Sequence, residues 1–174
     1  LTIPADYTAE CSDEHPMDDA SATDNCSEVT IDVVETTISG LCAGDYTTTR
    51  VFTATDDCGN ASSATQTITI VDTTSPVLSI PADYTAECSD EHPMDAASAT
   101  DNCGEVTINV VESTIAGDCI GDYSITREFT ATDDCGNATS ATQTITIVDT
   151  TAPVLTNTPE EFISCDEYPN AIIY

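Results

Sequence analysis

Two sets of side chains in this chain have the types and spacing to do chemistry. Cysteines stand at 11, 26, 42 and 58 and again at 88, 103, 119 and 135. An even set at repeated spacing, too far apart for zinc knuckles, implies a disulfide framework made in an oxidising compartment. The second set is oxygen-rich and lies in turns: Asp24 and Asn25 in one, Asp56, Asp57 and Asn60 in another, and their counterparts Asp101, Asn102, Asp133, Asp134 and Asn137. Asp72 and Asp149 each close a TQTITIVD segment. Ca²⁺ takes six to eight hard oxygen ligands, and short Asp and Asn side chains on tight turns are suited to converge on it.

Both sets recur because the sequence repeats with a period of 77. Residues 1–77 return as 78–154 with 13 differences, so the two copies must share one fold. Leu155 and Cys165 fall 77 positions after Leu78 and Cys88. Residues 155–174 are therefore expected to begin a third, diverged copy, with the partner of Cys165 beyond Tyr174. The expected organisation is repeat 1 over 1–77, repeat 2 over 78–154, and the start of another at 155. A module this short, in a chain with no Trp and three Phe, needs staples beyond its hydrophobic core.

Thirty-two acidic residues against two arginines give a formal charge of -30. That excludes nucleic acid and anionic membrane as partners and makes cations the natural counterpart. There is no transmembrane-length apolar run and no signal peptide; in an internal piece of a longer chain the missing leader carries no information.

Alternating apolar and polar residues set the elements that must position these groups. Val29, Ile31 and Val33 share one face, Tyr46, Arg50, Phe52 and Ala54 another, and Ile68 with Ile70 a third, with Gly, Asp, Asn and Pro between the runs. This is the pattern of an all-β antiparallel sandwich. Following the chain up and down puts the TDNC and TDDCGN turns at one pole, with Cys11 and Cys42, or Cys88 and Cys119, at the other. Bridged Cα atoms lie within roughly 7 Å, so opposite poles of one module cannot pair. The expected bridges, two per module, are Cys11 with Cys42, Cys26 with Cys58, Cys88 with Cys119 and Cys103 with Cys135. Local pairing of Cys11 with Cys26 and Cys42 with Cys58 remains the alternative. Each bridge would contribute about 3 to 4 kcal/mol on the chain-entropy account.

Because consecutive modules meet pole to pole, Asp72 is expected to face Asp133 and Asp134. A structural Ca²⁺ is expected at that joint, on Asp72, Asp101, Asp133, Asp134 and Asn137, with Asp24, Asp56, Asp57, Asn60 and Asp149 as equivalents at the outer ends. The competing reading is that these residues only form Asx-turns and solvated hairpins. Arg50 and Arg127 are in phase with inward-facing residues, and Glu10 or Glu35 is the expected partner of Arg50. His15 and His92 read as surface turns before proline. No nucleophile, zinc-protease or phosphate-loop motif is present, so no catalytic residue is assigned. Asn25, Asn60 and Asn137 fit the N-glycosylation pattern, weakly.

The run TATDDCGNASSATQTITIVDTTSPV, with TDNC upstream, resembles the hyalin-repeat (HYR-like) modules of large bacterial surface proteins. The resemblance covers both full copies. It implies immunoglobulin-like sandwiches strung in tandem on adhesins and extracellular fibres of Bacteroidetes-type bacteria. Ile3 to Ala5 stand where many such modules have Cys-Pro, and Ala64 stands near their last-strand cysteine. One familiar bridge is therefore missing, and the family's pairing does not transfer. Thr73 and Thr150, in DTT, resemble Asp-Thr sites that such bacteria O-glycosylate. The expectation is a non-enzymatic, extracellular or cell-surface stalk whose partners are further copies of the module, in the same chain or in neighbouring subunits. The alternative is an adhesive module whose Thr-rich faces bind glycan, mineral, ice or another cell. The closing NAIIY is either a diverged strand or one offered to a neighbour.

Overall fold

Threonine, valine and isoleucine at alternate positions produce ten strands and, among the described residues 1–155 of the computed structural model, no helix. Repeat 1 contains β1 (Tyr7–Glu10), β2 (Val29–Ser39), β3 (Tyr46–Asp56) and β4 (Ala61–Val71). Repeat 2 is entered through β5 (Val77–Ser79), which begins on the last residue of repeat 1, and continues with β6 (Tyr84–Glu87), β7 (Ser98–Thr100), β8 (Val106–Ala116), β9 (Tyr123–Asp133) and β10 (Ala138–Val148). The expected third copy, with Cys165 and NAIIY, lies outside the described residues beyond Leu155.

Each repeat builds one four-stranded sheet, in the order β1-β4-β3-β2 and again β6-β10-β9-β8. The first strand pairs parallel to the last, with Tyr7 opposite Ile68, while the others are antiparallel, with Phe52 facing Ala64 on one side and Val33 on the other. The opposing layer is small. In repeat 2 it is the antiparallel pair β5–β7, with Leu78 opposite Ala99. In repeat 1 it shrinks to a single bridge, Thr2 to Ser21, closed by two backbone hydrogen bonds of 2.7 and 2.9 Å. The result is an immunoglobulin-like sandwich with the expected strand directions.

Burial along β3 alternates strictly: Thr48, Arg50, Phe52 and Ala54 point inward and their neighbours outward. Ile68 and Ile70 of β4 complete the core, and Phe129, Ala131, Ile145 and Ile147 repeat it. A buried phenylalanine contributes roughly 3 kcal/mol, so one per module leaves a thin core. A polar cluster extends it. Arg50 Nε donates to Glu35 at 2.9 Å, its Nη1 donates to the Asp18 carbonyl at 2.8 Å and to Gln66 Oε1 at 3.1 Å, and the guanidinium lies 4.9 Å from the Phe52 ring centre. Gln66, itself buried, donates onward to the Ala5 carbonyl at 2.8 Å. Arg127, Glu112, Gln143 and Phe129 reproduce the arrangement. Glu35, rather than Glu10, is thus the partner of Arg50.

Glu10 is used elsewhere: its carboxylate accepts from the backbone N–H of Thr73 at 3.1 Å and from the Thr73 hydroxyl. That ties the end of β1 to the chain leaving β4. His15 is half-buried rather than a free surface turn, with Nε2 3.0 Å from the Glu10 carbonyl and its ring edge-on to Tyr46.

Candidate metal site at the joint between repeats

Only residues 72–76 separate β4 from β5, so the pole carrying Cys11 and Cys42 is pressed against the pole carrying Cys103 and Cys135. The bridges form across this joint. Cys11 pairs with Cys103 and Cys42 with Cys135, with Cα–Cα separations of 6.0 and 5.0 Å. This corrects the expected pairs within a module, Cys11 with Cys42 and Cys103 with Cys135. The placement of these cysteines at poles holds; what differs is that the neighbour across the joint, not the same module, supplies the partner. The pairs Cys26 with Cys58 and Cys88 with Cys119 do not form either, and these four thiols are exposed and unpaired among the described residues. Two bridges are therefore shared between two modules, instead of two being contained in each.

Between and beside the bridges lie the acidic residues. Asp72, Asp101 and Asp133 each present a carboxylate oxygen, all within 4.8 Å of one another. Asp72 comes from the end of repeat 1, Asp101 from the turn before β8, and Asp133 is the last residue of β9. Two local devices aim them. Asp133 Oδ1 accepts from the backbone N–H groups of Cys135 at 2.9 Å and Asn137 at 2.8 Å, the Asx-turn expected of such sequences. Asp101 Oδ1 accepts from Cys103 N–H at 2.9 Å in the same way. Asp72 is held from its own module, its N–H donating to Asp45 Oδ1 at 2.9 Å.

Burial and like charge push the Asp72 carboxyl above the ordinary carboxylate range. Desolvation is the main cause, partly opposed by the Thr74 N–H, and Asp101, Asp133 and Glu10 add repulsion. At Asp133 desolvation also raises the pKa, but hydrogen bonds from the Asn137 side chain and from the Asn137, Gly136 and Cys135 amides outweigh it, and the carboxyl ends below its usual value. Two carboxylates about 5 Å apart repel by roughly 1 to 3 kcal/mol for effective dielectrics between 80 and 20. Three hard, partly desolvated anionic donors fit a divalent cation of the Ca²⁺ type; the nearby sulfurs are bound in disulfides and offer no thiolate.

The other expected ligands are placed differently. Asn137 braces the site: its amide donates to the Asp72 carbonyl at 3.0 Å, across the joint, and to Asp133 Oδ2 at 2.9 Å. Asp134 is exposed, with its carboxylate beside Gly104 and outside the group of three. At the outer pole of repeat 1, Asp24 and Asp56 cap their own turns, Asn60 donates to Asp56 at 2.7 Å, and Asp57 is exposed. At the outer pole of repeat 2, Asp149 is exposed and its Oδ1 accepts from Thr151 N–H at 3.1 Å. The proposed glycan acceptors are engaged too: the Asn60 and Asn137 amides as above, and the Thr73 and Thr150 hydroxyls against Glu10 and Glu87.

Several joint residues carry no motif in the sequence. Ser12 Oγ meets the Asn102 amide at 3.2 Å across the joint, and Asp45 lies beside the Cys42–Cys135 bridge. Gly44 passes over the other bridge with φ +93°, and a side chain there would come within 3.2 Å of the Cys103 Cβ and 3.3 Å of the Cys11 Cβ. The one signal that could have found Gly44 is its recurrence as Gly121 in a Gly-Asp-Tyr sequence opening β3 and β9.

Solved structures that the chain matches include Drosophila N-cadherin EC1-4, at 14% identity and TM-score 0.35, and the protocadherin gammaB7 EC3-6 cis-dimer, at 12% and 0.36. Each match covers 83% of this chain, which spans about half the length of those chains, 48% and 45%. No curated protein matches the sequence. Residues 76–147 match the family described as HYR-like domain with 4 cysteines. Residues 1–77 repeat residues 78–154 with 13 differences and build a sheet of the same strand order, so the matched segment has a near-copy before it.

Proposed function

We propose that this chain is a stretch of an extracellular, non-enzymatic stalk or filament, in which HYR-like modules are held end to end and a structural Ca²⁺ stiffens the joint. The observation that carries this reading is the meeting of Asp72 with Asp101 and Asp133 between two disulfides that themselves span the joint. Three covalent paths, two bridges and the short linker, restrict bending and twisting of one module against the next. A divalent ion there would turn the mutual repulsion of three carboxylates into attraction from both modules. Near-identical repeats suit a spacer, which needs the same surface many times. Among the described residues no helix is long and apolar enough to cross a membrane.

Thermal unfolding and solution scattering of the oxidised chain, with Ca²⁺ and with chelator, test this. The stalk reading expects Ca²⁺ to raise the melting temperature and narrow the distribution of particle lengths. An unchanged melting curve and scattering profile would remove the metal from the proposal.

A second reading, adhesion by the repeats themselves, is favoured by the outer face of the sheet. There Thr47, Thr49 and Thr53 of β3 lie opposite Thr69, Thr67 and Ser63 of β4, a row of hydroxyl-bearing pairs. Binding of the chain to glycan arrays, mineral or ice crystals would support it, and a pure spacer predicts none.

A further inference from the structure

The four unpaired cysteines are not a random remainder. Cys26 and Cys58 occupy in repeat 1 the positions that Cys103 and Cys135 occupy in repeat 2, and Cys88 and Cys119 occupy in repeat 2 the positions of Cys11 and Cys42. Each member of these pairs whose position faces the joint is bridged, and each whose position faces away from it is exposed and, among the described residues, free. The modules are nearly identical, so the presence of a neighbour is what separates the two classes. Moreover Cys88 and Cys119 share one pole without pairing with each other, as Cys11 and Cys42 do at theirs.

From this we infer that the free thiols are the two halves of further joints, each completed by another four-cysteine module of the same kind. Cys88 takes the Cys26-type thiol and Cys119 the Cys58-type thiol of a following module, while Cys26 and Cys58 take the Cys11-type and Cys42-type thiols of a preceding one. Every joint along the fibre then carries the same double staple, and no bridge lies within a module. Cutting a single peptide linker leaves such a ladder connected. The register is also specified, because the two bridges differ in position and only one orientation closes both.

Chemically, each bridge forms by thiol–disulfide exchange with a disulfide oxidant such as oxidised glutathione. Two protein thiols become one disulfide, and the oxidant accepts the two electrons and two protons as two glutathione thiols. The neighbouring module comes either from the same polypeptide or from a second chain. The inference rests on the disulfides alone and is independent of calcium, so chelator leaves it unchanged.

The experiment is disulfide mapping by mass spectrometry after oxidation in a glutathione buffer containing chelator. In the first arm, isotopically light and heavy copies of the chain are mixed. In the second, the chain is lengthened after Val154 by another copy of residues 78–154. Light–heavy peptides joining Cys88 to Cys26 and Cys119 to Cys58, with a reducible ladder in steps of the 18.2 kDa chain mass, identify a second chain as the neighbour. Bridges from Cys88 and Cys119 to the added copy, in the lengthened chain only, identify the same polypeptide. Peptides joining Cys26 to Cys58 or Cys88 to Cys119 in both arms would overturn the inference. So would free Cys88 and Cys119 in a lengthened chain whose Cys11–Cys103 and Cys42–Cys135 bridges have formed.

Discussion

Asp72 and Asp149 occupy the same position in two copies of one module, yet Asp72 is 6% exposed and Asp149 is open to solvent. Their local bonds are alike: each backbone N–H donates to the equivalent aspartate, Asp45 at 2.9 Å or Asp122 at 2.8 Å, and each carboxylate accepts from the residue two ahead. What differs is the module docked against Asp72. Environment at these poles is thus created by the joint.

That difference makes the pair its own control. Without calcium, Asp72 is a desolvated charge facing two others, so Asp72→Asn is expected to raise the melting temperature by about 2 to 4 °C, the shift that roughly 1 kcal/mol produces in a protein of this size. The same change should abolish any stabilisation by Ca²⁺, which for the unaltered chain would reach about 2.7 kcal/mol at a hundredfold excess over the dissociation constant. Asp149→Asn should change neither quantity. Calorimetry with and without chelator reads all three.

Acid should act on the metal-free chain in two opposed ways. Asp24, Asp56, Asp133, Glu10 and Glu87 all have carboxyls held below their ordinary values by hydrogen bonds that outweigh desolvation. A lowered folded-state pKa gives stability that is present above the unfolded value and lost as pH falls through the folded one. Asp72, raised, does the reverse: its penalty is present at neutral pH and relieved as it takes up a proton. Net stability should therefore fall below about pH 4, the ordinary carboxylate range. The fall should be steeper in Asp72→Asn, where the opposing group is gone. Denaturant titrations between neutral pH and pH 3 measure this directly.

Gly44→Val should block closure of the joint. Its φ of +93° is strained for any branched residue, and the added Cβ would crowd the Cβ atoms of Cys11 and Cys103. Alkylation followed by mass spectrometry should find Cys11 and Cys103 free in most molecules. Gly121→Val carries the same backbone strain, but its nearest sulfur belongs to the unpaired Cys88, so the joint bridges should form normally there.

Gln66→Leu should cost about 1 to 3 kcal/mol, seen as a drop in unfolding free energy, because it removes an acceptor from the buried Arg50 guanidinium and the hydrogen bond to the Ala5 carbonyl. Arg50→Lys should lose a similar amount. A lysine cannot hold Glu35, the Asp18 carbonyl and Gln66 in the arrangement the planar fork provides.

The strands were legible from alternation alone. Phe52, Ala54, Ile68 and Ile70 point inward as their spacing requires, since period-two patterning and burial on one face are the same statement. Arg50 was legible as buried because it keeps phase with Phe52. Its glutamine partner was not: Gln66 sits among Thr and Ile with nothing to mark it as the buried bridge between a guanidinium and a loop carbonyl.

By itself, the sequence determined the repeat and the alternating strands, and following chain reversal at each turn it favoured one pole for each cysteine and each acidic turn, with local cysteine pairing left as the alternative. It also led to the expectation that Asp72 faces Asp133 and Asp134 of the next module, against the reading that these residues only form turns. Which cysteine bonds to which was decided only in three dimensions, because Cys42 has Cys11 at its own pole and Cys135 across the joint, and spacing along the chain does not rank them. The same holds for the acidic group. Asp101 and Asp133 converge on Asp72 while Asp134, next in sequence, turns away, a choice made by backbone hydrogen bonds in the turn and by the docking of one module on another.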